Sequence, residues 1–351
     1  MNEDSSGTPA RTWVFVTDEN GQAAMQQRYL KAGSSELFTD AAGKAVIPAG
    51  SFTVQETKAP TGYLADDTVY RYKVNGAAFA YSGAQAGGIS AIGTSPALDI
   101  SKGVTSEESV VCGGVKAVKY DIQRNSAYPQ GDAVLEGAQL TVYNNSANAV
   151  WHDGAEHARG EAVLTMTTDA SGTAQTADNA LPYGDYIIKE TKPPRGYMPN
   201  EDWSVSFSIR ENGVVVDISG NPVKDMPVKG GVKFQKIDSE TLENTPQGSA
   251  LLEGAEISVY NISGAPVMVG DALYEPENNA DVSALRSSGT PVLTAVTDAS
   301  GLAQTSDDAL PYGTYRAIET KAPEGYELNS QWSVTFQVRE NGVIIDTASA
   351  A

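Results

Sequence analysis

Cysteine is almost absent from this chain: Cys112 is the single one among 351 residues. An internal disulfide is therefore excluded, and a protein working outside the cell would need well-packed cores or another kind of cross-link. Histidine is equally scarce, and the two present, His152 and His157, have no third ligand near them in sequence. Because zinc sites use three or four protein ligands, we predict no metal site, and no motif indicates a cofactor.

Basic residues and long apolar runs are scarce as well. Lysine and arginine number 24 against 44 acidic residues, which gives a net charge of -20. An acidic surface repels phosphate, which argues against nucleic acids and anionic membrane surfaces as partners. No apolar run is long enough to insert into a membrane, and the first residues do not form a signal peptide. We therefore expect targeting and anchoring segments to have been removed or to belong to a longer parent chain.

What the chain does contain is an internal repeat. GGVKAVKYD at residues 113–121 returns as GGVKFQKID at residues 230–238, a period of 117 residues (230 − 113). A longer match follows in the same order, TDASGTAQTADNALPYGDY at 168–186 with TDASGLAQTSDDALPYGTY at 297–315. The first third of the chain is a divergent copy that contains TDAAGKAVIPAG. Such a period predicts tandem modules.

Composition and turn signals predict an all-β fold for every module. Leucine is sparse, valine, threonine, tyrosine and glycine are frequent, and turn signals recur about every ten residues. We predict three tandem antiparallel β-sandwiches of the Ig-like type, each with about seven short strands. Module one (1–112) is divergent and lacks the first strand, module two (113–229) is complete, and module three (230–351) lacks the last strand. Residues 147–162 and 266–291 fall between matched strands and are predicted to be loops with room for a helical turn.

One stretch occurs in all three modules and carries a glutamate after a predicted strand. It reads ETKAPTGY at residues 56–63, ETKPPRGY at 190–197 and ETKAPEGY at 319–326. Because side chains alternate along a strand, each glutamate shares a face with apolar residues two and four positions earlier. An acid on a core face is costly unless it is neutral or paired. The glutamates are Glu56, Glu190 and Glu319, and their apolar neighbours are Phe52, Val54, Tyr186, Ile188, Tyr315 and Ala317.

A lysine stands on the predicted core face of the first strand in modules two and three, two and four positions after apolar residues. The lysines are Lys119 and Lys236, and the apolar residues are Val115, Ala117, Val232 and Phe234. In the last strand of module two, Asp225 follows Val223 at the same spacing. The core of module two would then hold Lys119, Glu190 and Asp225 together.

Two interpretations of this charged set remain open from the residues alone. In one, it is a buried ion pair that merely persists, although desolvation offsets most of its attraction. In the other, burial makes the lysine a neutral amine and the glutamate a neutral acid. Lys119 could then attack the carboxyl of Asp225 while Glu190 shuttles protons, which would expel water and leave an amide between the first and last strands.

The set of motifs resembles the Cna-type B domain, the SpaA-like, prealbumin-like module of Gram-positive pilins and adhesins. The motifs are K-x-D in the first strand, L-x-G-A in the second, E-T-x-A-P-x-G-Y later and V-x-(N/D)-x-P in the last, and they cover nearly the whole chain. The resemblance implies spontaneous isopeptide bonds between lysine and asparagine or aspartate. It implies that Lys119 is the nucleophile, Glu190 the catalytic acid and Asp225 the acceptor.

The resemblance assigns the same roles to Lys236 and Glu319 in module three, where no residue occupies the acceptor register. Asp346 aligns with Asp217 and is not nominated. The acceptor for Lys236 is unknown, and we hypothesise that it comes from another chain that adds a strand to the open sheet edge. One candidate donor is the N-terminal arm, residues 1–6, of a neighbouring copy. The alternative is an arbitrary boundary within a longer repeat array.

Module one differs from module two at the lysine position and at the acceptor position. It carries Glu56 but no aligned lysine. Near its end, Glu107 or Glu108 stands where the family has asparagine or aspartate. The sequence therefore leaves open whether this module carries any cross-link.

The predicted function is structural: a stalk or shaft segment of a Gram-positive surface adhesin or pilus, stiffened by autocatalytic isopeptide bonds. Its expected location is extracellular, attached to the cell wall or within a surface filament. Its expected partners are other copies of itself or neighbouring repeats, and head-to-tail polymerisation by strand donation is a further hypothesis. One alternative is a ligand-binding adhesin region whose loops contact a host matrix protein or glycan; another is the accessory region of an enzyme. The segment itself is predicted not to be an enzyme, because the expected isopeptide chemistry is intramolecular and occurs once per molecule. No nucleophile-elbow motif, phosphate loop or metal-protease helix is found.

Overall fold

The structure, a computed structural model, describes residues 9–74, 79–80, 89–94, 107–278 and 280–350. Its contacts divide the chain into two compact units, Met1–Val111 and Cys112–Ala351. The first unit contains module one, and the second contains modules two and three. The candidate donor arm, residues 1–6, lies outside the described residues.

Module one is built from short antiparallel strands. A 3-10 helix at Gln27–Tyr29 precedes β1 Val46–Ile47, β2 Gly50–Val54, β3 Tyr70–Val74, β4 Phe79–Ala80 and β5 Ile89–Ala91. β1 pairs with β4, and the other three form a sheet in the order β2-β3-β5. Tyr72 and Val74 on β3 are buried, and the ring of Phe52 stacks on that of Tyr72. This module therefore has a small core beside β2 and β3.

Module two is a sandwich of two sheets with a short hairpin attached. Its strands are β6 Cys112–Asp121, β7 Gln139–Asn144, β8 Val150–His152, β9 Ala155–His157, β10 Ala162–Thr167, β11 Thr173–Gln175, β12 Leu181–Pro182, β13 Gly184–Lys192, β14 Ser204–Ile209, β15 Val215–Asp217 and β16 Val223–Asp225. One sheet has the order β10-β7-β13-β14 and is antiparallel throughout. In the other sheet β6 pairs with β11 and β12 antiparallel and with β15 and β16 parallel.

The two sheets of module two enclose one hydrophobic core. Alternate side chains point inward, among them Val115 and Ala117 from β6 and Tyr186 and Ile188 from β13, each at most 1% exposed. Burying a large apolar side chain contributes about 1.5–3 kcal/mol. Most strand pairs are antiparallel, as predicted, but the last strand runs parallel to the first. This parallel contact brings the two ends of the module side by side.

Module three repeats this sandwich without a described counterpart of β16. Its elements are β17 Lys229–Gln235, β18 Glu256–Asn261, β19 Val267–Val269, β20 Ala272–Tyr274, α1 Val282–Ser288, β21 Leu293–Val296, β22 Leu302–Gln304, β23 Leu310–Pro311, β24 Gly313–Lys321, β25 Ser333–Val338, β26 Ile344–Asp346 and a 3-10 helix at Thr347–Ala350. One sheet has the order β21-β18-β24-β25. In the other, β17 pairs with β22 and β23 antiparallel and with β26 parallel.

The prediction that residues 147–162 and 266–291 are loops is wrong in part, because each contains a β-hairpin. β8 pairs with β9, and β19 pairs with β20. The first hairpin turns at Asp153 and Gly154, whose φ angles are 49° and 77°. An Asp-Gly pair with two positive φ angles matches the twist of flanking strands, so this dipeptide was an available hairpin signal. The helical turn is present in the second segment as α1.

Modules two and three are joined by hydrogen bonds from residues 130–132, in the segment between β6 and β7. Gln130 is fully buried, and its Oε1 accepts a hydrogen bond from the amide of Met268 at 2.6 Å. Asp132 accepts hydrogen bonds from Thr314 Oγ1 at 2.6 Å and Arg339 Nη2 at 2.9 Å. Burial alone would raise the pKa of Asp132, but these hydrogen bonds and the guanidinium charge together lower it. The carboxylate therefore remains ionised within the joint.

Gly131 brings the two modules into close contact. Its φ is +57°, and a Cβ atom at this position would collide with the carbonyl oxygen of Tyr312. Gly248, the counterpart in module three, has a φ of +56° and no atom within 4 Å of its Cβ position. The two glycines thus share a backbone conformation but differ in their surroundings.

We expect Gly131→Ala to loosen the joint between modules two and three, because the carbonyl of Tyr312 occupies the space of the added methyl group. Gly248→Ala is the matched control, since it carries the left-handed backbone cost of roughly 1–2 kcal/mol without the collision. Small-angle scattering should show a broader range of shapes for Gly131→Ala, and thermal unfolding should show a larger fall in its Tm. Equal effects of the two substitutions would contradict the role given to Gly131.

Candidate functional site

Lys119 is completely buried in the core of module two. It lies on β6 two positions after Ala117 and four after Val115, so strand alternation carries its side chain between the two sheets. The other lysine of this strand, Lys116, points to the opposite face and pairs near the surface with Asp217. An ammonium group in the position of Lys119 loses its hydration and must be paired or neutral.

Glu190 provides the first partner of this lysine. Its side chain is 1% exposed, and its Oε1 accepts a 2.6 Å hydrogen bond from Lys119 Nζ. Its Oε2 accepts a second hydrogen bond, of 3.1 Å, from the backbone amide of Asn200. The strand β13 has a register irregularity between Glu190 and Lys192, where the motif leaves the sheet. Both oxygens of the motif glutamate are thus held in place.

Asp225 provides the second partner from the parallel strand β16. In this register Val223 lies opposite Lys119 and Asp225 lies opposite Asp121. The Asp225 side chain is fully buried, and its Oδ1 contacts Lys119 Nζ. No backbone amide or hydroxyl of the described residues donates a hydrogen bond to either of its oxygens. The structure therefore brings together the three residues that the sequence singled out in module two.

The electrostatics of this core favour the neutral form of Asp225. Burial raises the pKa of Asp225 to about 7; the Lys119 ammonium opposes the rise, and the nearby Glu190 carboxyl adds to it. Near neutral pH, Asp225 therefore exists to a large extent as a neutral acid. When a proton passes from the ammonium to a carboxylate, a neutral amine lies beside a neutral carboxylic acid, which are the two reactants of amide formation.

Residues that the sequence reasoning missed support this site. The hydroxyl of Tyr197 donates a 2.9 Å hydrogen bond to Asp121 Oδ2, and burial raises the pKa of this tyrosine so that it stays protonated. The side-chain amide of Asn200 donates to the backbone of β16 at 2.8 Å. Tyr326 and Asn329 stand at the same spacing in module three. That repetition was the signal that could have identified both residues.

In module three the structure pairs Lys236 with Glu319 but adds no acceptor from the described residues. Lys236 Nζ donates to Glu319 Oε1 at 2.6 Å, the same distance as in module two. The Lys236 side chain is 19% exposed, whereas that of Lys119 is 0% exposed. Asp346 lies opposite Lys233 on the neighbouring strand and pairs with that lysine at 2.9 Å. Its place therefore corresponds to Asp217 and not to Asp225.

The partial exposure of Lys236 coincides with an open sheet edge. In module two, backbone groups bond at 2.8–3.0 Å to the segment that starts at Asp225; they are Ile122 N, Met198 N and Gly196 O. Their counterparts in module three have no hydrogen-bond partner among the described residues; they are Ser239 N, Glu327 N and Gly325 O. This edge presents the donors and acceptors that a further strand would need.

Module one places an acid where module two has Asp225. The turn after Glu56 and the segment after Glu108 are joined by the same two backbone hydrogen bonds as their counterparts in module two, each of 2.8 Å. They are Leu64 N to Ser109 O and Val111 N to Gly62 O, which match Met198 N to Met226 O and Val228 N to Gly196 O. This register makes Glu108, and not Glu107, the counterpart of Asp225.

Glu56 lies beside Glu108, but the predicted core face of its strand is wrong in part. Val54 is 39% exposed, because no described strand covers it as β6 covers Ile188 in module two. Burial raises the pKa of Glu108, and its hydrogen bond with Glu56 and the charges of Glu56 and Asp66 add to the rise. No described lysine or arginine forms an ion pair with either glutamate.

Metal ligands are not grouped in the part of the chain that the structure describes. His152 and His157 face each other across the β8–β9 hairpin with ring centroids 6.1 Å apart. No group of three potential ligands occurs among the described residues. Nor does any described helix have the length and apolar character needed to cross a membrane.

The raised pKa of Asp225 predicts the pH response of a variant without the ammonium. In Lys119→Met, burial acts on Asp225 unopposed, so its folded pKa lies above the unfolded value of about 3.9. Stability from the protonated carboxyl is then fully present below about pH 4 and is lost as pH rises through the folded pKa. Urea unfolding between about pH 4 and 8 should show a loss of about 1.4 kcal/mol per pH unit in that window.

The double variant Lys119→Met/Asp225→Asn is the control for this pH dependence. It lacks the titrating carboxyl but keeps the shape of the side chain, so the loss assigned to Asp225 should be absent. The same pH dependence in the single and double variants would show that other groups cause it.

A family model matches the chain on all three repeats. It describes the SpaA prealbumin-like fold domain, and it matches residues 4–82, 125–222 and 230–350. These segments fall in modules one, two and three and together cover most of the chain. No curated protein sequence matches the chain.

Solved structures with similarity to the chain include pilins. The Bacillus anthracis TIE protein is 25% identical with a TM-score of 0.49, covering 89% of this chain and 44% of its own. The major pilin subunit BcpA of Bacillus cereus is 17% identical with a TM-score of 0.31, covering 96% and 93%. The shaft pilin SpaA from Lactobacillus rhamnosus GG is 20% identical with a TM-score of 0.26, covering 67% and 97%.

The chain spans less than half the length of the Bacillus anthracis protein. The family match does not depend on these structures, because it extends over each of the three modules separately. With an all-β sandwich architecture and repeated motifs in the same places, the chain belongs to the family of SpaA prealbumin-like fold domains.

Proposed function

We propose that the chain is a load-bearing segment of a bacterial surface stalk in which Lys119 and Asp225 become joined by an amide. The observation that carries the proposal is the contact of one buried lysine with two buried carboxyl groups, all three side chains being at most 1% exposed. As a plain ion pair this set would be a weak stabiliser, because desolvation offsets the attraction. Formation of an amide removes the charges of Lys119 and Asp225 together.

The reaction is a condensation within one molecule. A proton first moves from Lys119 Nζ to the carboxylate of Asp225, and the neutral amine then attacks the Cγ atom of the protonated Asp225. Glu190 accepts a proton from Nζ and returns it to the departing hydroxyl group, so that a C–N bond forms, a C–O bond breaks and one water leaves. Glu190 ends as it began. Because the reaction occurs once per molecule, the protein is not an enzyme in the ordinary sense.

Such a bond suits a tether under mechanical load. β6 and β16 are the first and last strands of module two and lie side by side. Pulling on the module would then stretch an amide where otherwise only backbone hydrogen bonds would resist. Membership of the SpaA domain family supports an extracellular role on the cell wall or in a surface filament, with other copies or neighbouring repeats as partners.

The alternative, a ligand-binding adhesin region, has less support from the loops. The hairpin within residues 266–291 is bonded to Gln130 through the amide of Met268, so it serves the joint between modules. The first hairpin does present Trp151, which is 65% exposed. A single exposed aromatic residue is not enough to indicate a binding site.

The intact mass of the denatured protein tests the bond in module two. We expect a deficit of about 18 Da, one water, relative to the mass of the sequence. Lys119→Ala and Glu190→Ala should each restore the full mass, since one removes the nucleophile and the other the proton shuttle. Lys116→Ala is the matched control, because this lysine lies on the outer face of the same strand.

The mass measurement can also contradict the proposal. Full mass in the unmodified protein would leave module two as an ordinary β-sandwich with a buried ion pair. A deficit that survives in Lys119→Ala would place the bond elsewhere.

For module three we propose completion by a strand from a second copy of the protein, with a side-chain carboxyl or carboxamide joined to Lys236. This rests on the open backbone groups along the edge and on the Lys236–Glu319 pair, which has two of the three groups found in module two. The partial exposure of Lys236 leaves access for the missing group. The N-terminal arm, residues 1–6, remains the candidate donor.

Concentrated protein boiled in detergent should therefore show a ladder of multimers. Lys236→Ala should abolish the ladder, while Lys233→Ala should retain it, because Lys233 pairs with Asp346 on the outer face. A second loss of water in the monomer would contradict this proposal, since it would place the acceptor within the same chain.

A further inference from the structure

We propose that Glu108 in module one is an acceptor for the amine of a lysine carried on a short strand of another polypeptide. The inference starts from the register of the closing segment, which puts Glu108 in the place of Asp225 and Glu56 in the place of Glu190. Module one therefore has the acid and the acceptor of the site in module two, but no described lysine. Module three, by contrast, has the lysine and the acid but no described acceptor.

The pair of acids is set up as in module two. Glu56 Oε2 accepts a 2.8 Å hydrogen bond from the amide of Asp66, just as Glu190 Oε2 accepts one from the amide of Asn200. Oε2 of Glu108 is buried and has no hydrogen-bond partner among the described residues. Two carboxyl groups in contact favour a shared proton, so one of them is a neutral acid, which is the form that an amine can attack.

Apolar side chains near this pair are more exposed than their counterparts in module two. Val54 is 39% exposed, whereas its counterparts Ile188 and Ala317 are fully buried. Tyr63 is 45% exposed, whereas Tyr197 is 4% exposed. An apolar surface next to two acids fits a strand that carries apolar residues and one amine.

A hydroxyl group in module one also lacks its usual partner. Tyr197 donates a hydrogen bond to Asp121, the last residue of β6, and Tyr326 donates one to Asp238, three residues after the end of β17. Tyr63 stands at the same position of the motif but has no hydrogen-bond partner among the described side chains. A strand with an aspartate two residues after its lysine would supply both missing groups.

The length of the incoming strand is limited by the fold of module one. In module two β6 lies between β11 and β15. In module one β1 and β4 pair directly with each other, so no further strand can lie between them. The open part lies next to Glu56 and Glu108, so we expect a short strand with the pattern lysine, any residue, aspartate. The net charge of -20 on this chain favours a basic donor.

The reaction is the same condensation as in module two and therefore rests on the chemistry proposed there. The neutral lysine amine attacks the Cδ atom of protonated Glu108, and Glu56 moves a proton from the nitrogen to the departing hydroxyl group. A C–N bond forms, a C–O bond breaks, and one water is released. The product is a γ-glutamyl amide between two polypeptides.

The probe for this reaction is a peptide with the sequence GGVKAVKYD, residues 113–121 of this chain, added to the full-length protein. We expect an adduct that survives boiling in detergent, with a mass equal to protein plus peptide minus about 18 Da. Fragmentation should place the new amide between Glu108 and the second lysine of the peptide. A peptide with arginine in place of that lysine keeps the charge and should give at least tenfold less adduct.

Variants of the protein locate the site. Glu108→Ala and Glu56→Ala should abolish the adduct, while Glu107→Ala, at the exposed neighbouring position, should retain it. Absence of an adduct with the unmodified protein, an equal yield with Glu108→Ala, or an amide between Glu108 and a lysine of its own chain would overturn the proposal. The water lost in module two is read from untreated protein in the same experiment, so the two proposals fail separately.

Discussion

The withdrawal of one ammonium group from water is the constraint on which module two depends. Lys119 has no access to solvent, and within the described part of the chain its charged partners are Glu190 and Asp225. Such a charge is tolerated only if strands on both sides hold their carboxyl groups in place. The long first strand, the irregular end of β13 and the parallel placement of β16 can all be understood as parts of that arrangement.

The three modules contain the same set of charged residues at three degrees of completeness. Module two has the lysine and both acids, module three has the lysine and one acid, and module one has two acids. Groups next to a missing strand are more exposed. Lys236 is 19% exposed in module three, where no counterpart of β16 is described. Val54 and Tyr63 are exposed where module one has no described first strand. One fold thus shows what each strand contributes to the site.

The residues of the site could be predicted because they follow local rules. Strand alternation predicted that Lys119 and Asp225 face inward. The recurrence of the motif glutamate in all three modules indicated that Glu190 has a role. Features that depend on how distant segments align could not be predicted in this way. The choice of Glu108 over Glu107 needed the hydrogen-bond register between two segments more than forty residues apart (108 − 62). The parallel direction of β16 and the joint at Gln130 depend likewise on contacts across the fold.

The side-by-side placement of β6 and β16 has a consequence for extensibility. Lys119 and Asp225 are 106 positions apart (225 − 119), and an amide between them would close this stretch into a loop that carries no load. Fully extended, that loop would otherwise add roughly 350 Å of contour length to the chain. Because β17 starts four positions after Asp225, the line of tension passes almost directly into the next module. A filament of such units would keep its length when pulled. Only modules without the amide could lengthen by unfolding.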